Sequence, residues 1–400
     1  MAITRSRVLP ESFQTGALLA CTVGHAIGDA FANFVPPLMY TVRQLFGLSD
    51  HHLGLITLLF SVTTNFGQPV FGYVVDRWQP KHTIPVALLL AAVFMCSLGF
   101  APNVYVFVVC LMIAGWGIAL FHPRGGALAA EASGSRRALG MSIFGAGGAI
   151  GYALASLVAP ALHTWGLNLG MEPLQGLIFA LPAGVVAVLL LARFTPHAPR
   201  PSSAERFRLR RDLLPYMPQL LPLFAVMVLR SGTVTAFATF YQVLQGERGA
   251  SAMSQGGVLF AFVAGGAVGG IVGGHLSDIW GRRCVTVVSL LLSPAFLWYA
   301  LTASYWGAVV MLFVGGFTLR GAESVNIAQT QDLLPRGMST ASAISMGFVW
   351  GVAGVVPWLV GLVSDHTGSL TLALSLPLLL PVAAAVVALR LPTRPAPIPA

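Results

Sequence analysis

Three polar residues stand one helical turn apart inside the first apolar segment of the chain. His25, Asp29 and Asn33 occupy positions i, i+4 and i+8, so a helix would place them on one face. A carboxylate at the centre of a membrane-spanning helix costs roughly 2.5–3.5 kcal/mol on insertion scales, and it usually faces a cavity or a partner. We therefore interpret Asp29, tuned by His25, as a proton-coupling group and Asn33 as a substrate-binding group. The alternative is a packing stripe in which neighbouring helices satisfy the three side chains.

A second candidate set lies in the fourth apolar segment, where the sequence reads Phe121-His122-Pro123-Arg124. Proline removes a backbone donor and frees a carbonyl group, which a membrane tolerates only where protein lines a cavity. Histidine can change its charge near neutral pH. We therefore predict that His122 and Arg124 contact the substrate. For Arg124, a basic side chain that reaches the membrane interface is an equally good explanation.

Two arginines lie near the middle of apolar segments in the second half of the chain, at Arg230 and Arg320. Arginine keeps its proton, and its planar fork suits the oxygens of a carboxylate or phosphonate. Glu323 follows Arg320 by three residues, on the same helix face. The three residues are predicted to bind an anionic substrate. The alternative is a structural ion pair between Arg320 and Glu323.

The composition of the chain is typical of a membrane protein. Of its 400 residues, 56% are hydrophobic and 9% are charged, against about 25% charged residues in soluble proteins. The formal charge of +9 does not indicate a nucleic-acid partner, because the basic residues lie in short loops where they determine topology. The four cysteines lie within apolar segments at no ligand-like spacing, so neither a disulfide framework nor a metal site is expected.

Twelve apolar segments are long enough to cross a bilayer, which requires about 20 residues. They are residues 13–46, 51–76, 82–100, 104–132, 137–162, 174–194, 215–245, 253–278, 284–303, 306–332, 338–364 and 370–390. The sequence thus predicts an all-α polytopic membrane protein with twelve transmembrane helices in two six-helix repeats. The N-terminal bundle is residues 1–194, a Pro- and Arg-rich cytoplasmic linker is residues 195–214, and the C-terminal bundle is residues 215–400.

Basic residues are distributed unequally between the two sets of loops. One set contains nearly all of them, and the opposite set contains only Arg43 and Arg248. The positive-inside rule then places both termini and the linker in the cytoplasm. We expect a multi-pass protein of the cell membrane, which is the inner membrane in a Gram-negative bacterium.

One pattern recurs at the ends of the second and eighth segments, where each copy supplies a glycine, an aspartate and an arginine. These residues are Gly72, Asp76 and Arg77 in the first copy and Gly274, Asp278 and Arg282 in the second. The pattern resembles the signature loop of the major facilitator superfamily. The resemblance implies that the six residues belong to a cytoplasmic gate. A parallel duplication of this kind places the transport site between the two halves, near the membrane midplane.

A closer resemblance covers most of the N-terminal half. Gly24-His25, Gln68-Pro69 and Phe121-His122-Pro123 resemble the fosmidomycin-resistance branch of bacterial drug exporters. The resemblance implies drug efflux and antibiotic resistance. Arg124 stands where an acidic residue is common in that branch, so the identity of the substrate does not carry over.

No Walker motif, no His-Glu-x-x-His and no Gly-x-Ser-x-Gly occurs in the sequence, so we expect neither an ATP-driven pump nor an enzyme, and no cofactor. The predicted function is secondary transport by alternating access, as proton-coupled antiport of a small anionic or zwitterionic compound. Its partners are the substrate, protons and the lipid bilayer, and we expect a monomer. An importer or exchanger of small organic anions on the same fold is the alternative. A non-transporting membrane sensor is a remote one.

Overall fold

The computed structural model describes four stretches of the chain, residues 14–71, 82–195, 213–334 and 344–391. The predicted gate residues Gly72, Asp76 and Arg77 lie outside these stretches, as does most of the predicted linker. The structural statements below concern the described residues.

The N-terminal half consists of long apolar helices and short connections. Its helices are α1 (Thr15–Ala32), α2 (Met39–Phe46), α3 (Asp50–Ser61), α4 (Thr83–Cys96), α5 (Val104–Ala132), α6 (Arg137–Asn168) and α7 (Leu181–Phe194). A 3₁₀ turn at Pro36–Leu38 joins α1 to α2, because the two prolines cannot supply the donors of a continuous α-helix. A π-helical turn at Val62–Phe66 extends α3.

The C-terminal half repeats this organisation. Its helices are α8 (Met217–Glu247), α9 (Ala252–Trp280), α10 (Arg282–Thr302), α11 (Tyr305–Arg320), α12 (Glu323–Leu333), α13 (Val349–Ala353), α14 (Val355–Thr367), α15 (Leu370–Ser375) and α16 (Leu379–Ala388). The predicted span 306–332 corresponds to one candidate span, Tyr305–Leu333, which contains a two-residue turn. Gly321 and Ala322 separate α11 from α12 there.

Ten helical stretches in the described residues are long and apolar enough to cross a membrane, and α4 is apolar but shorter. The prediction of an all-α, multi-pass membrane protein is confirmed. The count of twelve spans and the cytoplasmic location of the termini stay predictions.

Glycines allow the closest helix pairs to form. A side chain on Gly151 of α6 would collide with the carbonyl oxygen of Ala26 in α1. In the same way, a side chain on Gly269 of α9 would collide with the carbonyl oxygen of Phe317 in α11. Small residues at such positions let backbones approach, which is how helices associate in a membrane where burial from water provides little driving force.

The two halves contact each other at the end predicted to be extracellular. A Cβ on Gly54 of α3 would lie 2.5 Å from the carbonyl oxygen of Pro357 in α14. One turn away, the Asp365 carboxylate accepts hydrogen bonds from the backbone N–H groups of Asp50 (2.9 Å) and His51 (3.1 Å). A carboxylate of the C-terminal half therefore caps the first turn of a helix in the N-terminal half.

A second set of contacts closes the same end. Arg43 of α2 lies 2.5 Å from a carboxylate oxygen of Glu247 in α8 and 3.3 Å from that of Asp50. A side chain on Gly246 would collide with the ring of Tyr40. The halves thus interlock at this end through charge pairs and close backbone packing.

The apolar core divides toward the opposite end of the molecule. One large cluster contains residues of both halves, among them Phe34 and Phe240. A separate cluster contains residues of the N-terminal half alone, including Leu18, Phe121 and Leu128. The N-terminal half therefore has a second apolar core near the predicted inner end, and this core contains no buried residue of the C-terminal half.

The contact of α3 with α14 gives a first prediction. Gly54→Ala adds a methyl group where backbone atoms of Pro357 already lie, so we expect overpacking to destabilise this conformation by about 1–3 kcal/mol. Thermal unfolding in detergent measures the effect. The matched control is Gly126→Ala in α5, whose new Cβ would meet its nearest neighbour at an ordinary 3.9 Å. Equal unfolding midpoints for the two variants would contradict the close packing of the halves.

Candidate functional site

Two helices of the N-terminal half bring His25, Asp29 and His122 together. On α1, His25 Nε2 lies 3.4 Å from Asp29 Oδ2, as expected for residues one turn apart. His122 on α5 places its Nε2 3.1 Å from the other oxygen, Asp29 Oδ1. The side chains of His25, Asp29 and His122 are 11%, 20% and 26% exposed. We call these three residues the proton-sharing cluster.

The hydrogen bonds of the two imidazoles determine where their protons lie. His25 Nδ1 is 2.8 Å from the carbonyl oxygen of Phe144, and His122 Nδ1 is 2.9 Å from that of Ile118. A carbonyl oxygen can only accept, so each Nδ1 carries a hydrogen. Both Nε2 atoms then face the oxygens of one carboxylate, and a hydrogen bond there requires an additional proton on nitrogen or oxygen. The contacts within the cluster therefore depend on how many protons it holds.

Helix α6 forms the wall of this cluster. The ring of Phe144 stacks on the His25 ring, with centroids 4.1 Å apart. A Cβ on Gly148 would lie 2.5 Å from His25 Cε1 and 2.6 Å from Asp29 Oδ2. Our sequence analysis did not identify Gly148 as a site residue. The sequence feature that could have indicated Gly148 is the group of small residues on α6, because such residues let another helix approach closely.

The other predicted residues of the N-terminal half lie beside the cluster. Asn33 donates from Nδ2 to the backbone oxygen of Asp29 at 2.8 Å, so its side chain binds the end of α1 in this conformation. Arg124 is half-buried on α5 and lies within electrostatic range of Cys21. Their predicted contacts with substrate stay predictions.

The donor atoms of the proton-sharing cluster lie within 4.8 Å of one another, close enough for one cation to touch all three. The contacts of 3.1 and 3.4 Å between these donor atoms suit groups that share protons and the ligands of one cation alike. The proton-coupling role of Asp29 and His25 and the expected absence of a metal site stay predictions.

The C-terminal half contains a second charged cluster, formed by Arg230, Arg320 and Glu323. Arg320 Nε lies 2.5 Å from Glu323 Oε2, and Arg230 Nη2 lies 3.9 Å from Glu323 Oε1. The face of Trp350 lies 5.9 Å from the guanidinium carbon of Arg320. Two guanidinium groups thus share one carboxylate, which leaves one positive charge uncompensated within the cluster. We call these three residues the arginine cluster.

Arg230 has more hydrogen-bond donors than nearby acceptors. Its side chain is 2% exposed, and Nη2 donates to Ser231 Oγ at 3.2 Å. Within the part of the chain that the structure describes, its Nε and Nη1 find no hydrogen-bond acceptor. Leaving a buried donor unsatisfied costs about 1–3 kcal/mol, and more for a charged group. An anionic ligand would supply the missing acceptors.

The interruption between α11 and α12 positions Glu323. This residue begins α12, where the free N–H groups of a helix favour a negative charge. The break lies against α9, since a side chain on Gly273 would collide with the carbonyl oxygen of Gly321. Broken helices at membrane depth are tolerated where they line a cavity, and transporters use them to bind charged groups.

One further titratable side chain of α6 was not predicted from the sequence. Tyr152 stands one turn after Gly148 on α6 and is in electrostatic range of Asp29, Arg320 and Glu323. The spacing from Gly148 could have indicated it, because residues four apart share a helix face.

Comparison with known proteins identifies the family. A model described as the Major Facilitator Superfamily matches residues 18–247 and 223–400. The chain belongs to this superfamily. It is 26% identical over 362 residues to the fosmidomycin resistance protein of Escherichia coli strain K12, covering 88% of this chain and 87% of that protein. It is also 26% identical over 365 residues to a transporter of the same superfamily from Bacillus subtilis strain 168, with coverages of 88% and 87%.

The fold agrees with this membership. A crystal structure of a bacterial homologue of the human lysosomal transporter spinster, in an inward-facing and occupied conformation, matches with a TM-score of 0.76 at 15% identity. The match covers 94% of this chain and 96% of that one. The predicted resemblance to the superfamily and to its fosmidomycin-resistance branch is confirmed, and the chain is a multi-pass membrane transporter.

The second copy of the superfamily signature lies within the described residues and makes the following contacts. Arg282, the first residue of α10, forms an ion pair with Asp332 of α12 at 2.6 Å. Asp278 is exposed near the end of α9, and Gly274 lies beside Ser324. The signature thus connects α9 and α10 to the broken span that holds Glu323. Its role as a gate stays a prediction.

The unequal pairing of the two arginines gives a second prediction. Arg230→Met removes buried donors that lack acceptors, so we expect unchanged or greater stability. Arg320→Met breaks the direct pair with Glu323 and should destabilise the fold by at most about 3–5 kcal/mol. Thermal unfolding of both variants in detergent provides the measurement. A larger loss of stability in Arg230→Met than in Arg320→Met would contradict the assignment of Arg230 as the arginine with unsatisfied hydrogen-bond donors.

Proposed function

We propose that the protein is a proton-coupled efflux transporter that exports a small anionic or zwitterionic compound by alternating access of its two halves, residues 1–194 and 215–400. The observation that supports this most strongly is that each half holds one charged cluster with incomplete partners. The N-terminal half holds a cluster whose contacts depend on protons, and the C-terminal half holds a buried arginine with unpartnered donors.

The proton-sharing cluster couples proton binding to helix packing. When it holds protons, the two Nε2 atoms bind the Asp29 oxygens and draw α5 toward α1. When the protons leave, nitrogen lone pairs face a carboxylate and the attraction is lost. In our proposal, Asp29 and His25 take a proton from the outer side, and the contracted cluster favours the inward-opening change.

The arginine cluster binds the substrate in this proposal. A carboxylate or phosphonate would accept hydrogen bonds from Nε and Nη1 of Arg230, where bidentate geometry makes such bonds strong. Arg320 and Glu323 complete the pocket, with His122, Arg124 and Asn33 toward the N-terminal half. The pair Arg320–Glu323 keeps the second guanidinium in place when no substrate is bound.

The contacts of the two halves provide the gates. Release to the outside requires the pairs Arg43–Glu247 and Asp50–Asp365 to separate, and these contacts close the outer end in the present conformation. At the inner end, the signature residues are proposed to close in turn. They are Gly72, Asp76 and Arg77 in the first copy and Gly274, Asp278 and Arg282 in the second.

The proposed direction of transport is out of the cell. Efflux is supported by similarity to a relative named fosmidomycin resistance protein. Import of a small organic anion together with a proton would use the same two clusters.

Neutralisation of the Asp29 carboxylate tests the proposed coupling of transport to protons. In inside-out vesicles with an imposed proton gradient, the wild-type protein should accumulate a fosmidomycin-like phosphonate, and an uncoupler should abolish the accumulation. Asp29→Asn should lose this uncoupler-sensitive accumulation while its thermal unfolding midpoint stays close to wild type, because the amide keeps the shape but cannot bind the additional proton.

The matched control is Glu172→Gln, which neutralises an exposed carboxylate between α6 and α7, away from the cluster. It should transport like the wild type. Full proton-driven accumulation by Asp29→Asn would contradict the coupling role. No accumulation by folded wild-type protein would exclude efflux of this phosphonate.

A further inference from the structure

The proton-sharing cluster is the one group within residues 14–71, 82–195, 213–334 and 344–391 that brings three or more metal-ligating side chains together. His25, Asp29 and His122 each offer one ligand atom, and these atoms all lie within 4.8 Å of one another. None of the four cysteines, whose spacing gave the expectation of no metal site, belongs to this group. A metal ion here would be held by two imidazoles and one carboxylate.

Both imidazoles already make the second hydrogen bond that is typical of metal-bound histidines. His25 Nδ1 donates to the carbonyl oxygen of Phe144 at 2.8 Å, and His122 Nδ1 donates to that of Ile118 at 2.9 Å. A histidine that ligates a metal almost always donates its other ring N–H to an oxygen, which fixes the tautomer and orients the ring. In this tautomer each Nε2 has a free lone pair, which is the atom that can ligate a cation.

The spacing of the ligand atoms is close to that around a tetrahedral ion. Zinc lies about 2.0–2.2 Å from imidazole nitrogen or carboxylate oxygen, so two ligands of a tetrahedral site lie about 3.3–3.6 Å apart. His25 Nε2 is 3.4 Å from Asp29 Oδ2, and His122 Nε2 is 3.1 Å from Asp29 Oδ1. The two nitrogens lie within 4.8 Å of each other. One ion can therefore contact all three side chains after a modest approach of the two rings.

The surroundings orient the ligands without sealing them inside the packed core. The ring of Phe144 stacks on that of His25, with centroids 4.1 Å apart and 18° between the ring planes. The side chains of His25, Asp29 and His122 are nevertheless 11%, 20% and 26% exposed, so an ion can reach them. The ligands come from α1 and α5, and a bound ion would join these two helices.

The chemistry of the ligands selects the class of ion. Mg²⁺ and Ca²⁺ prefer oxygen ligands, whereas imidazole nitrogen suits Zn²⁺ and related transition metals. Without a metal, each contact between an Nε2 and the Asp29 carboxylate requires one additional proton. A divalent ion supplies the charge of the two protons that it replaces, so it satisfies both contacts at once.

We propose, against the expectation from the sequence, that His25, Asp29 and His122 form a binding site for a divalent transition-metal ion of the zinc class. The ion binds Nε2 of both histidines and the carboxylate of Asp29, and it thereby connects α1 to α5. Three protein ligands leave a tetrahedral ion one further position for a ligand from solvent. The inference does not rest on the proposed function, because it requires neither a transported compound nor a direction of transport.

Binding of Zn²⁺ alone to the purified full-length protein, freed of its affinity tag and of bound metal, tests the inference by isothermal titration calorimetry. Loss of a residue that merely orients a ligand costs about 10–100-fold in metal affinity, so loss of a ligand should cost at least about tenfold. We therefore expect His25→Gln, His122→Gln and Asp29→Asn each to weaken Zn²⁺ binding by at least about tenfold. Excess Mg²⁺ should leave the binding of Zn²⁺ to the wild type unchanged.

Two further measurements separate loss of the site from loss of the fold. X-ray absorption at the zinc edge of the loaded wild type should show two imidazoles per ion, with ligand distances of about 2.0–2.2 Å. An ion that binds the folded state raises the unfolding midpoint. Zn²⁺ should therefore raise the midpoint of the wild type more than that of any of the three variants, each of which must unfold cooperatively without metal to be compared.

The matched control is His366→Gln, which removes an exposed imidazole near the end of α14 and should bind Zn²⁺ like the wild type. No Zn²⁺ binding to folded wild-type protein would overturn the inference. Unchanged binding in the three cluster variants, or a spectrum without two imidazoles, would assign the ion to other residues and overturn it as well. These outcomes do not involve a phosphonate or a proton gradient, so the proposed function succeeds or fails separately.

Discussion

Charge held inside a membrane is the constraint on which this structure depends. A carboxylate or guanidinium group within the bilayer needs a partner or a cavity. Asp29 is shared by two imidazoles that need additional protons to bind it. Arg230 contacts a carboxylate already engaged by Arg320 and has two donors without an acceptor among the described residues. We propose that this incomplete pairing serves protons in the N-terminal half and a ligand in the C-terminal half.

The remaining architecture positions these two sites. Glycines on α6 and α9 bring backbones into contact and place α1 and α11 against them, so that neither cluster is displaced by bulky side chains. The break between α11 and α12 provides a helix N-terminus at Glu323. The capped first turn of α3 and the pairs around Arg43 hold the outer ends of the two halves together.

Much of this was predictable from the sequence because it depends on local pattern. Apolar length identified the spans, and the spacing of His25 and Asp29 placed both on one helix face. Contacts between helices were harder to predict, because they depend on the relative register of segments far apart in the chain. Hence His122 was expected to contact substrate and is found on Asp29. Neither Tyr152 as a residue near the site nor the capping of α3 by Asp365 of the other half was predicted. The turn at Gly321 and Ala322 lies inside one stretch that is long and apolar enough to cross a membrane, so segment length did not indicate it.

The central claim is that His25, Asp29 and His122 share protons, and nitrogen NMR of the histidine side chains tests it most directly. In protein labelled with ¹⁵N-histidine, with signals assigned by His25→Gln and His122→Gln variants, the account predicts that the neutral form of both rings carries its hydrogen on Nδ1. It also predicts that both Nε2 signals change in one coupled transition as pH varies, and that Asp29→Asn alters that transition for both. Rings protonated on Nε2 in the neutral form, or independent transitions that Asp29→Asn leaves unchanged, would contradict the claim.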